Sequence, residues 1–201
     1  MTRQPRIDHL KAADTVDARL GQRSRMTPDA LTFDGRNSSV RPWRLMAGAD
    51  GSFVVRPGEG RLIDLGDFEM RVKADSAGTG NVVSVLEAAE PPGFGPPVHV
   101  HDDAAEAFYV LEGEYLMQLD GQEQRCPAGS FIFIPVGVPH GFRVADVPSR
   151  KLNFYFPASM VGYFDDLAAA LTRSDVTDIE LAAIAEAHHV HIVGPPSERY
   201  I

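Results

Sequence analysis

The stretch PGFGPPVHVHDDAAEAFYVLEG, Pro92 to Gly113, decides the reading of this chain. It places two of only seven histidines one residue apart and follows them with Glu106 at the start of an aromatic run. Alternate side chains of a strand share a face, so His99 and His101 can aim two imidazoles at one point. Glu106 has the wrong parity to continue that strand. The polar DDAA at 102–105 must therefore turn the chain and bring the carboxylate back on a new strand. A fourth candidate is His140 in GSFIFIPVGVPHGF, where proline and glycine fix a tight connection that aims the next residue inward. Three imidazoles and one carboxylate suit a divalent first-row ion, with iron, nickel, manganese, cobalt, copper and zinc all open.

Working outward, the flanking sequence reads as short strands. RLIDL (61–65), FEMRVKA (68–74) and NVVSVLEAA (81–89) precede the site, and EYLMQLDG, QEQRCPAG, SFIFIP, GFRVADV and KLNFYF follow it. Asp120–Gly121 supplies the positive φ of a tight hairpin turn. Strands spaced so evenly indicate an antiparallel all-β sandwich or barrel. After Pro157 the pattern changes to helical spacing over 160–173 and 178–189, with Ser174, Asp175 and Thr177 where the second helix needs an N-cap. The chain divides into an N-terminal arm (1–50), expected to be partly flexible, a β-barrel (51–158), and a C-terminal helical extension and tail (159–201).

Composition bounds the function classes. A net charge of −9 disfavours nucleic acid as a partner, although the first 25 residues are net basic. No apolar run approaches a membrane span and no secretory signal is visible, while Met26 offers a second candidate start. A single cysteine, Cys126, excludes an internal disulfide framework and makes a reducing cytoplasm the expected compartment. Small-molecule binding is left, with a homodimer formed through sheet edges as the expected assembly. The HHVH at 188–191 repeats the histidine spacing, yet no carboxylate follows it at a comparable distance. His188, His189 and His191 are therefore read as structural or solvent-exposed, His9 as tail, and Trp43 as an anchor for the N-terminal segment. The acidic pairs Asp102–Asp103 and Asp165–Asp166 read as a solvated loop and a solvated helical face.

The spacings match a family. Gly93, His99, His101, Glu106 and Gly113 resemble the first motif of the cupin superfamily, and Gly129, Pro135, Gly137 and His140 the second, with residues 114–128 between. The flanks look like single-domain cupins of the quercetin 2,3-dioxygenase-like kind, over roughly residues 52–196. The resemblance implies a jelly-roll barrel with His99, His101, Glu106 and His140 as metal ligands near one end. It departs at Val144, where the second motif usually closes with asparagine.

Phe108 shares a strand face with Glu106, and Phe142 with His140, so both are expected to line the cavity. Phe94 is a rim candidate and Met117 a further substrate contact. For Tyr115, Leu119, Leu152, Phe154 and Phe156, core packing is the better reading. The expected chemistry is oxygenation of an enol or phenol-type substrate, by resemblance a flavonol or other oxygenated aromatic, with Glu106 as base and dioxygen as co-substrate. A redox-neutral isomerase, cyclase or lyase, or a non-enzymatic binding cupin, is the alternative.

Overall fold

The computed structural model describes residues 51–195; the N-terminal arm, with His9 and Trp43, lies outside them. Two antiparallel sheets face one another. The larger, in the order β1-β2-β3-β10-β5-β8, comprises Arg61–Asp64 (β1), Glu69–Ala74 (β2), Ser84–Glu90 (β3), Ser149–Phe156 (β10), Ala105–Glu112 (β5) and Phe131–Ile134 (β8). The smaller, in the order β11-β4-β9-β6-β7, comprises Val190–Ile192 (β11), His99–His101 (β4), His140–Val144 (β9), Glu114–Leu119 (β6) and Gln122–Pro127 (β7). The expected all-β jelly roll is thus present. A one-turn helix α1 (Ser76–Thr79) and two C-terminal helices, α2 (Met160–Leu171) and α3 (Asp178–Ala187), complete it.

Local chemistry accounts for the elements. Asp120 (φ 46°) and Gly121 (φ 77°) make the two-residue turn that pairs β6 with β7, as their sequence demands. The Thr177 hydroxyl accepts the Glu180 amide at 3.3 Å and starts α3, while Asp178 and Glu180 sit favourably in its positive first turn.

The interior holds two apolar clusters. One gathers Leu65, Met70, Val72, Leu86 and Tyr155 beneath Met160 and Val161 of α2. The other gathers Val110, Tyr115, Met117, Ile132, Ile134 and Val144 with three phenylalanines, Phe94, Phe108 and Phe142.

Three expectations are corrected or extended here. The first concerns β10. Leu152, Phe154 and Phe156 do share a face, but it is the outer one; Phe156 is 41% exposed. The inward face carries Ser149, Lys151, Asn153 and Tyr155, all at most 3% exposed. Hydrophobicity alone pointed the wrong way because the inward polar groups find partners: Asn153 Nδ2 donates to the Leu86 carbonyl at 3.0 Å, and Lys151 meets Glu90.

The second concerns the acidic pairs, which lie at the solvated surface as expected but of which three members also form ion pairs. Asp165 pairs with Arg61 at 2.6 Å, Asp166 with His188 at 2.7 Å and Asp102 with His191 at 2.5 Å. The third concerns HHVH. It holds a strand the sequence did not announce, since Val190–Ile192 pairs with β4.

Leu86 is fully buried on the central strand β3. Leu86→Ala is expected to lower the unfolding free energy by about 2–5 kcal/mol. Val82→Ala, at a position 67% exposed, should change it by less than about 0.5 kcal/mol. Urea denaturation followed by circular dichroism checks both.

Candidate metal centre

The four ligand candidates come from both sheets. His99 and His101 lie on β4 and His140 on the adjacent β9, with His99 and His140 as Cα partners. Glu106 projects from β5 of the facing sheet, as the turn at 102–105 requires. One ligand atom from each lies within 4.8 Å of all the others. Ligands on opposite sides of a first-row ion are about 4.2 Å apart, given metal–ligand bonds of about 2.1 Å. The set can therefore close on one ion with sub-ångström adjustment.

Hydrogen bonding prepares the donors. Nδ1 of His99 donates to the Pro97 carbonyl and Nδ1 of His140 to the Val138 carbonyl, each at 2.8 Å. These bonds turn both Nε2 atoms toward the site, the arrangement that commonly orients metal-binding imidazoles. His101 is 3% exposed, and among the described residues neither ring nitrogen makes a well-formed hydrogen bond, its Nε2 having only a long approach to Glu106. A buried imidazole with no partner costs free energy unless something else takes its lone pair, and a metal ion would. Nε2 of His140 approaches Oε2 of Glu106 to 2.8 Å, and Nε2 of His101 lies 3.4 Å from the same oxygen.

The protonation states of His99 and Glu106 agree with this, whereas His140, although burial lowers it, is raised overall by Glu106, so an ion binding there displaces a proton. Burial, followed by the neighbouring His140 and His101, draws His99 down to about 3, so it is neutral at any physiological pH. Burial pushes the Glu106 carboxyl up, but His101 and His140 outweigh it and hold the group well below the usual carboxylate range. Neutral imidazole and ionised carboxylate are the forms that bind metal.

A cavity of about 110 Å³ adjoins His99, His101 and Glu106; Phe94, Phe108 and Phe142 line it, as expected, together with Phe68 and Phe164. Met117 is not among the lining residues; it is fully enclosed in the apolar cluster, opposite Phe142 in the β6–β9 ladder. The sequence reading missed Tyr155, Asn153, Lys151 and Glu90, all of which line the cavity. Only the alternation of polar residues along KLNFYF hinted at three of them. Tyr155 stands opposite Glu106 in the β10–β5 pairing. Its hydroxyl is held well above its ordinary range by burial and then by that carboxylate.

The departure at Val144 has a structural account. The Val144 backbone clamps the approach loop by donating to the Phe94 carbonyl at 2.7 Å and accepting from the Gly93 amide at 3.1 Å. Its side chain is buried in the apolar cluster. Gly95 on the same loop lies so close to β9 that an added Cβ would stand 2.1 Å from the Phe142 carbonyl oxygen.

A jelly roll with two imidazoles on one strand, a third on its neighbour and a carboxylate facing them defines a class. The family model of the cupin domain matches residues 86–150, about a third of the chain. It is 29% identical over 102 residues to a quercetin 2,3-dioxygenase of Bacillus subtilis, covering 51% of this chain and 30% of that protein. It is 35% identical over 75 residues to an uncharacterized protein of Methanocaldococcus jannaschii, covering 37% of this chain and 60% of that one. The chain therefore spans less than two thirds of either relative. Among solved structures, an RmlC-like cupin of Shewanella frigidimarina is similar at 20% identity and a TM-score of 0.47, over 53% of this chain and 92% of that one.

His101→Ala and His140→Ala are each expected to lose most of the bound metal while the far-ultraviolet dichroism stays unchanged. Mass spectrometry of chelator-free protein reads the metal. Full metal retention by both variants would show that the four residues are not a ligand set.

Proposed function

We propose that this cupin is a metal-dependent dioxygenase acting on an enol or phenol-type substrate, a flavonol or another oxygenated aromatic. The observation that carries the reading is the convergence of three imidazoles and one carboxylate, of which His99, His101 and Glu106 face a cavity lined by five phenylalanines, Phe94, Phe108 and Phe142 among them. The likeness to a quercetin 2,3-dioxygenase supports it. The ion held by His99, His101, Glu106 and His140 is iron, nickel, manganese, cobalt, copper or zinc. When bound, it would supply Lewis acidity toward a substrate hydroxyl and a centre for dioxygen chemistry.

The chain's own residues do the rest. Glu106 is ionised, and its Oε2 is the base that takes the hydroxyl proton. Phe94, Phe108 and Phe142 hold the ring and keep water away from the anion that forms. A second groove of about 410 Å³ lies between α2, α3 and the 194–195 segment. It shares Pro96, Pro97, Tyr163 and Ile192 with the inner cavity. The inner cavity takes a single ring, and the groove takes the remainder of a larger substrate such as a flavonol.

The expected homodimer belongs to the same proposal. It is supported by Phe131 and Phe133, 63% and 55% exposed on the edge strand β8. Equilibrium sedimentation should show a dimer that Phe131→Ser with Phe133→Ser converts to monomer. A dimer indifferent to both changes would place the interface elsewhere.

An oxygen electrode tests the reaction. Metal-loaded protein should consume dioxygen with at least one member of a panel of flavonols and simple phenols. Glu106→Gln should lower that rate by about 100-fold or more, with metal content measured alongside. Stoichiometric metal without oxygen uptake would overturn the dioxygenase reading in favour of a redox-neutral isomerase, cyclase or lyase.

A further inference from the structure

The cavity has a second polar end that the chemistry above does not use. Lys151 and Glu90, 1% and 3% exposed, both line it. Tyr155 stands beside Glu106, and Lys151 lies four residues further along β10, on the order of 13 Å of strand. Nζ of Lys151 donates to both Glu90 oxygens at 2.6 Å, and the Tyr115 hydroxyl donates to Glu90 Oε2 at 2.7 Å.

Among the described residues, the hydrogen-bonding capacity is not exhausted. An ammonium has three N–H groups, and two go to Glu90; a carboxylate accepts about four hydrogen bonds, and three are filled. The ammonium also lies 4.0 Å from the Phe142 ring centroid and 5.2 Å from that of Phe108, the two rings that wall the cavity. What is left beside those rings is one donor and one acceptor. A buried ion pair is commonly no more stabilising than apolar residues of equal volume. Stability therefore gives no reason to keep this one inside an otherwise aromatic wall.

We propose that Glu90 and Lys151 form a second binding point in this cavity, which recognises a neutral hydroxyl at the end of a single-ring substrate opposite the oxygen directed at His99, His101, Glu106 and His140. A hydroxyl accepts from Lys151 and donates to Glu90, filling both vacancies. A carbonyl would fill only the first, and a carboxylate would meet the Glu90 charge. This inference rests on the phenol-type reading of the site and specifies its substrate class as a ring with a hydroxyl at each end.

The test is calorimetric titration of the metal-loaded full chain with three probes that share a phenol. These are 4-hydroxybenzyl alcohol, the nearly isosteric 4-ethylphenol, and 4-hydroxybenzoate. Wild type should bind the alcohol about tenfold or more tightly than the benzoate. Lys151→Met alone would strand Glu90, so the working variant is Glu90→Gln with Lys151→Met. It should lose about tenfold in affinity for the alcohol without losing affinity for 4-ethylphenol, and with unchanged metal content. Equal changes for both probes, no change for either, or benzoate preferred by wild type would overturn the proposal; the wild-type comparison stands even if the variant does not fold. Binding of 4-ethylphenol but not of the alcohol would also overturn it. Failure of all three phenols to bind would instead strike the phenol-type reading, and this inference with it.

Discussion

The pairing of His99 with His140 across β4 and β9 is the constraint on which the site depends. It brings two imidazoles together by backbone hydrogen bonding, before any metal contributes. Strand alternation then places His101 on the same side, and the facing sheet supplies Glu106. Slipping the β4–β9 ladder by one residue would turn a ligand away from the interior. The ladder is short, and its surroundings compensate. Pro97 and Val138 hold the imidazoles by their carbonyls, and the Val144 backbone fastens the approach loop to the end of β9.

Electrostatics inside the jelly roll follow from this placement. Glu106 faces two imidazoles that stabilise its charge, which is why it stays ionised despite burial. The same carboxylate raises the Tyr155 hydroxyl, so Tyr155 is a neutral donor throughout the physiological range. Along β10, Lys151 meets Glu90 and the two neutralise one another. Among the cavity-lining residues, charge is thus confined to two small regions, at Glu106 and at Glu90 with Lys151. Interior charges are retained where a partner meets each of them and nowhere else.

Much of this was legible in the sequence because its signals are local. The alternation of HVH, the turn forced by DDAA, the Asp120–Gly121 hairpin and the Thr177 cap each depend on a few neighbouring residues, and each reappears in the structure. The clustering of His99, His101, Glu106 and His140 was legible for the same reason, as two short motifs of fixed spacing. The inward face of β10 was not. Its alternation could be read from KLNFYF, but choosing the buried side required knowing that Glu90, 61 residues earlier, would meet Lys151. Met117 failed as a cavity residue for a related reason: parity gives the face of a strand but not how far along the barrel the cavity extends.

The short strand β11 ties the end of the described chain to its chemistry. Val190 pairs with His101 and Ile192 with His99, so β4 is held between β9 and a segment about ninety residues downstream. During synthesis most of the jelly roll has left the ribosome before that segment exists, and closing so long a loop is entropically the most expensive step in setting β4. Strand β4 is therefore among the last parts to be locked, and the placing of the His99 and His101 side chains depends on whether the chain through Ile192 has been made.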